Sequence, residues 1–266
     1  MTDLSGEHLD ELREAVRLLE SPAFAIRMAN YLGAPVERLL SSLPRHMAVA
    51  IRNATNVAIQ RALDVALRTL PNGGGRPRAH KLLHKAAVGA TGGIGGFFGL
   101  GSLAVELPLS TAIMLRSIAD IARAEGEHLG DPAVRMTCLE VFALGGKSAS
   151  DDATETSYYA IRAALARTVS EAASYLTERG LASEAAPPLV RLVGQIASRF
   201  GIVVSEKVAA ELVPLVGAAG GAAVNLMFLD YFQKVASGHF TVRRLERTYG
   251  PEVIEARYEE IRASLG

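Results

Sequence analysis

Apolar positions recur every three to four residues along most of this chain, the spacing of helices that bury one face. Leu9, Leu12, Val16 and Leu19 form the first stripe, with Asp10, Glu11, Arg13, Glu14 and Arg17 on the other faces. Ser21-Pro22 reads as the start of a second helix that carries Phe24, Met28, Tyr31 and Leu32 and ends near Gly33. A short helix through Val36, Leu39, Leu40 and Leu43 stops by Pro44, and a long one runs from about Arg45 to Leu70. Pro71-Asn72-Gly73-Gly74-Gly75 breaks the pattern as a connection between helices. Helix resumes from Ser110 to Ala124, with a kink or break predicted at Pro108. After a turn from Gly126 to Asp131, Pro132 opens a helix that Gly145-Gly146 stops. Tyr158, Ile161, Leu165, Val169 and Ala172 mark the next helix, which ends at Gly180; Asp152 and Glu155 precede it in capping-box spacing. Pro187-Pro188 starts another (Leu189, Leu192, Val193, Ile196, Phe200), and Pro251 the last (Ile254, Tyr258, Ile261, Leu265). Only Ile202-Val203-Val204 has the local chemistry of a strand.

Two stretches depart from this amphipathic pattern. Ala86 to Val105 has no charged residue, and seven of its twenty positions are glycine. Leu212 to Leu229 is a second uncharged run, with Asn225 inside it. Gly89, Gly93, Gly92, Gly96 and Gly99 in the first run and Gly217 with Gly221 in the second fall at helical spacing, where small residues form a flat ridge that another backbone can approach. Each glycine costs a helix about 1 kcal/mol relative to alanine, so close packing or lipid contact has to offset the run. The expected fold is all-α: a single multi-helix bundle, one domain over residues 1–266, with the Gly/Ala-rich apolar helices as a central pair. A short echo links the two runs: Glu106-Leu107-Pro108 at the end of the first and Glu211-Leu212-Val213-Pro214 at the start of the second.

Charge changes this picture locally. Lys plus Arg and Asp plus Glu are 28 each, so no global field attracts nucleic acid, and with no Trp and 6% aromatics there is no stacking platform for bases. Yet no acidic residue occurs from Val65 to Val105, while Arg68, Arg76, Arg78, Lys81 and Lys85 are all basic. A basic cluster beside an apolar run is what an anionic leaflet attracts. Arg76, Arg78, Lys81 and Lys85 are therefore the candidate membrane-binding residues, against the plainer reading of a solvated helix face. The polar N-terminal segment is not a signal peptide, and the single cysteine, Cys138, excludes an internal disulfide framework; both point to the cytoplasm, with peripheral attachment at the inner face of the cell membrane.

Candidate chemistry is sparse. Glu106, Glu140 and Asp230 sit in or at the edge of apolar surroundings, and Lys207, Arg116 or Lys147 are the cations that could balance them. They read as structural ion pairs in the bundle, or as a polar core pocket holding an acid of raised pKa. His80 and His84 share a helix face but have no third ligand nearby, so no metal is expected. Neither a nucleophile elbow, a phosphate loop nor a dinucleotide fingerprint is present, and no cofactor is implied. The leading expectation is a non-enzymatic protein associating reversibly with an anionic membrane or a membrane protein. The alternatives are a hydrolase using the core acids and a carrier with a lipid or other apolar ligand in its core.

Several separated motifs resemble the EcsC family. They are the glycine-rich stretch after Lys85, Glu106-Leu107-Pro108, Met114 to Ala119, and the Asp131-Pro132 helix ending in Phe142-Ala143-Leu144-Gly145-Gly146. Ser157-Tyr158-Tyr159, the stretch from Val213-Pro214 to Asn225, and Phe240 to Tyr249 are similar to it too, so the resemblance spans roughly residues 25–260. It implies a bacterial, cytoplasmic, helical protein working at a membrane. It carries no catalytic residue onto this chain.

Overall fold

The computed structural model describes residues 4–21, 24–33, 36–41, 43–70, 100–146, 157–180, 186–212 and 217–265. All regular structure among them is helical. In chain order the helices are α1 (Gly6–Leu19), α2 (Phe24–Leu32), α3 (Val36–Ser41), α4 (Arg45–Arg68) and α5 (Leu100–Ala124). They continue with α6 (Pro132–Leu144), α7 (Tyr158–Arg179), α8 (Pro187–Glu211), α9 (Gly217–Tyr249) and α10 (Pro251–Leu265).

Helix starts follow local chemistry. Asp131 caps α6 through its side chain, which accepts from the Ala133 N–H, and Pro132 takes the first helical position. Ser157 does the same for α7, accepting from Ala160; Asp152 and Glu155 lie outside the described residues. Two places where the sequence left the local structure open are both helical. α5 runs through Pro108 without ending there, and the Ser110 and Thr111 hydroxyls donate to the Leu107 carbonyl in the turn around it. Ile202-Val203-Val204 is helical: Val203 and Val204 lie fully buried within α8, where tertiary packing overrides β propensity.

α6 is the most enclosed helix, buried at every residue from Met136 to Leu144, and α4, α5, α7, α8 and α9 all pack on it. That explains why the stretch is apolar on every face apart from Thr137 and Glu140: it has neighbours on most sides. Phe142 on α6 meets Phe200 on α8 and Phe232 on α9 with ring centroids 5.0 and 5.5 Å apart, joining three helices at one aromatic centre. α9 runs beside α6 and also supports α1, α5 and α10. Two glycines permit close approaches. A Cβ on Gly146 would lie 2.6 Å from the Arg199 carbonyl carbon, and one on Gly238 would lie 2.7 Å from Leu19 Cγ. The first lets the end of α6 meet the α8 backbone, and the second lets α1 lie on α9.

Candidate functional site

Two buried polar centres stand out, and they differ in how completely they are satisfied. The first joins α5, α8 and α9. Lys207 is fully buried, and its ammonium donates to Glu106 at 2.9 Å and contacts Glu211 at 3.1 Å. The Asn225 amide donates to the same Glu106 oxygen at 2.9 Å. Burial opposes a charge on Lys207, but the two carboxylates outweigh it and raise the ammonium above its ordinary pKa; burial raises the Glu211 carboxyl. The two glutamates of the sequence echo thus meet at one cation. Asn225 Oδ1 is buried with no hydrogen-bond partner. Since its cation is matched by carboxylates, this centre reads as a structural tie between α5, α8 and α9.

The second centre lies where α6, α7 and α9 meet. Arg162 on α7 holds Glu246 on α9 in a bidentate pair at 2.6 and 2.7 Å and donates to the Tyr158 hydroxyl at 3.2 Å. Tyr159 donates to Glu246 at 3.0 Å, and the Tyr158 hydroxyl lies 2.9 Å from Nδ1 of His239. Burial, then Arg162 and Arg243, push His239 well below the ordinary histidine pKa, so its ring is neutral. Arg243 Nε donates to Glu127 at 2.8 Å, and Arg247 contacts the same Glu127 oxygen.

Above this network runs a groove of about 540 Å³. Its walls follow from the sequence: Ala133, Thr137 and Glu140 fall at i, i+4 and i+7 on α6, facing Ala166, Ser170, Ala173 and Ser174 on α7. Small side chains along both helix faces leave a channel where larger ones would fill it. Arg162, Arg243 and Glu178 add charged groups to the lining, with Val169 and Thr177 beside them on α7. Glu140 is 4% exposed and makes no hydrogen bond or ion pair among the described residues, although it lines the groove. Burial raises its pKa from 4.5 to about 7; Arg162 and Arg243 pull it down and Glu246 pushes it up. A carboxyl near neutrality that has no protein partner and faces a cavity can accept or donate a proton to whatever occupies it.

The remaining candidates fall elsewhere. Arg116 does not reach Glu106; it donates to the Thr69 hydroxyl at 3.4 Å on an exposed face. Asp230 is half-buried and pairs with Lys234 at 2.7 Å. Gly217 opens α9, and Gly221 is buried one turn further on. Arg76, Arg78, Lys81, Lys85, Lys147, Gly89, Gly92, Gly93, Gly96 and Gly99 lie outside the described residues. Sequence reasoning found Glu140 but missed Arg162, Arg243 and Glu246, because ordinary amphipathic spacing carries no sign of a contact between residues more than 80 positions apart. Among the described residues, no group of three or more His, Cys, Asp or Glu converges to hold a metal ion.

Fold and site together define an all-helical protein with a polar groove over a charged network. The chain belongs to the EcsC protein family, whose family model matches residues 8–245. No curated protein and no solved structure matches it.

Proposed function

We propose that this protein binds a small polar molecule in the groove between α6 and α7 and exchanges a proton with it through Glu140. The observation that carries the reading is the Glu140 carboxyl: buried, without a protein partner, and at the cavity wall. The other buried acids among the described residues are committed. Glu206 accepts from the Ala25 N–H at 3.0 Å, and Glu246 and Glu127 hold arginines. An acid without such a partner costs stability, and proteins accept that cost where function needs it. The groove accordingly favours an acid–base or binding role over a fully packed core. A ligand-observed NMR screen of polar metabolite-sized compounds tests it, comparing wild type with Ser170→Trp. Ser170 is exposed and lines the groove, so tryptophan fills the channel without disturbing the core. Compounds that bind wild type and lose binding in the variant support the reading. A screen without binders, or binders that tolerate the tryptophan, overturns it.

A second reading, membrane association, draws on a different place. Val105 and Leu109 are one turn apart at the start of α5 and 73% and 49% exposed, and Leu212 is 47% exposed. Their sequence neighbours Glu106 and Glu211 share Lys207, which ties this part of α5 to the end of α8. Among the described residues no helix is long and apolar enough to cross a membrane. The reading is therefore surface attachment, with Arg76, Arg78, Lys81 and Lys85 supplying attraction to anionic lipid. In liposome flotation the protein should rise with anionic vesicles at low salt and sink as salt passes about 0.15 M. Val105→Glu with Leu109→Glu should abolish flotation. Wild-type protein that stays at the bottom of the low-salt gradient excludes this role.

A further inference from the structure

The groove's uncommitted groups define the chemistry of its occupant, on the reading that the groove binds a ligand at all. Arg162 is largely engaged: both its terminal nitrogens hold Glu246, and one also donates to Tyr158. Arg243 is not. Among the described residues its one hydrogen bond runs from Nε to Glu127, which leaves both terminal nitrogens without a protein acceptor. Glu140 lies on the same cavity wall with no partner. The two side chains feel each other's field, yet they do not form an ion pair. Both line the groove.

The surrounding charge decides which ligand fits. The charged groups acting on Glu140 are Arg162 from α7 and Arg243 and Glu246 from α9; α4, α5 and α8, which also pack on α6, add none to that set. Glu127, in the turn before α6, is shared by Arg243 and Arg247. Tyr158 and Tyr159 are held in the neutral form by burial, as is the His239 ring. Glu178 lies on the exposed side of the groove, where water screens it. Of the charges acting on Glu140 itself, two guanidiniums (Arg162, Arg243) face one carboxylate (Glu246), so its surroundings are locally positive whenever Glu140 holds its proton. An ammonium ligand would meet that positive charge. An oxyanion would meet two sets of donors, the Arg243 terminal N–H groups and the Glu140 O–H.

We propose that the groove binds a small oxyanion, a carboxylate or a sulfate-like group, bridged between the Arg243 guanidinium and the protonated Glu140 carboxyl, so that anion and proton enter together. Binding then takes up one proton, and affinity falls as pH rises through the titration of Glu140.

Acetate and sulfate are the probes, because both stay fully ionised between about pH 6 and about pH 8, and any pH dependence belongs to the protein. Dissociation constants are measured by NMR chemical-shift titration, and proton uptake by calorimetry in two buffers of different ionisation enthalpy. With Glu140 titrating at about 7, affinity should be about tenfold weaker at the upper pH than at the lower. Glu140→Gln keeps a donor but cannot titrate, so its binding should no longer vary with pH. Arg243→Gln should weaken binding at every pH. Should Glu140→Gln fail to fold, the wild-type pH profile and the buffer comparison still decide. Wild-type binding independent of pH, no proton uptake, or binding of methylammonium in preference to both anions overturns the proposal. If such a result came with ligands that Ser170→Trp displaces, the groove would stand as a binding site and only its anion chemistry would fall.

Discussion

Glu140→Gln should melt several degrees above the wild-type protein at about pH 8, and the gap should close as the pH falls towards about 5. Burial, the dominant cause, raises the folded-state pKa of Glu140 from 4.5 to about 7. Between those values the folded protein holds a proton that the unfolded chain has released. Stability therefore falls as pH rises through this window, and the whole penalty is present above it. A shift from 4.5 to about 7 corresponds to roughly 3 kcal/mol as an upper bound, at 1.36 kcal/mol per unit. Glutamine has the shape of the protonated acid and no charge to bury, so the variant lacks the penalty. Thermal melts of both proteins across the range test this. A variant less stable than wild type at high pH would mean that Glu140 is paired and structural, and the groove would lose its candidate acid. A rise in stability on removing a polar side chain is the pattern of a residue kept for function rather than for folding.

Lys207→Met should have the opposite effect, a loss of about 3–5 kcal/mol at neutral pH. Methionine fills the volume of the lysine stem but leaves Glu106, 8% exposed, and Glu211 without their shared cation. The cost comes from the stranded carboxylates rather than from the lost attraction. Adding Glu106→Gln to Lys207→Met should therefore recover part of the stability, because the amide needs no counter-charge. Urea denaturation of the two single variants and the double variant forms the cycle. A Lys207→Met loss under about 1 kcal/mol, or no recovery in the double variant, would show that water reaches this centre and that it does not tie the helices together. Opposite outcomes at Glu140 and Lys207 would separate the two polar centres by role.

Before any tertiary contact is considered, helical periodicity, proline at helix starts and glycine at helix ends already mark most of the elements. They do so because backbone geometry and side-chain entropy act within a few residues: Asp131-Pro132 starts α6 and Gly180, with φ at +62°, ends α7 by local chemistry alone. Of the kink or break expected at Pro108 the break does not occur, and at Ile202-Val203-Val204 packing on neighbouring helices outweighs a weak β preference. Glu106, Glu140, Lys207 and Asn225 were visible as polar residues in apolar surroundings, since a buried charge is rare enough to stand out in one dimension. The small residues of α6 and α7 drew no notice in one dimension, because only their facing one another makes a groove. Only the tertiary structure decided that Glu106 is satisfied and Glu140 is not. That difference lies in which helix faces meet. Glu106 faces Lys207 and Asn225 across two interfaces, while Glu140 faces a channel that small side chains leave open, beside arginines already held by Glu246 and Glu127.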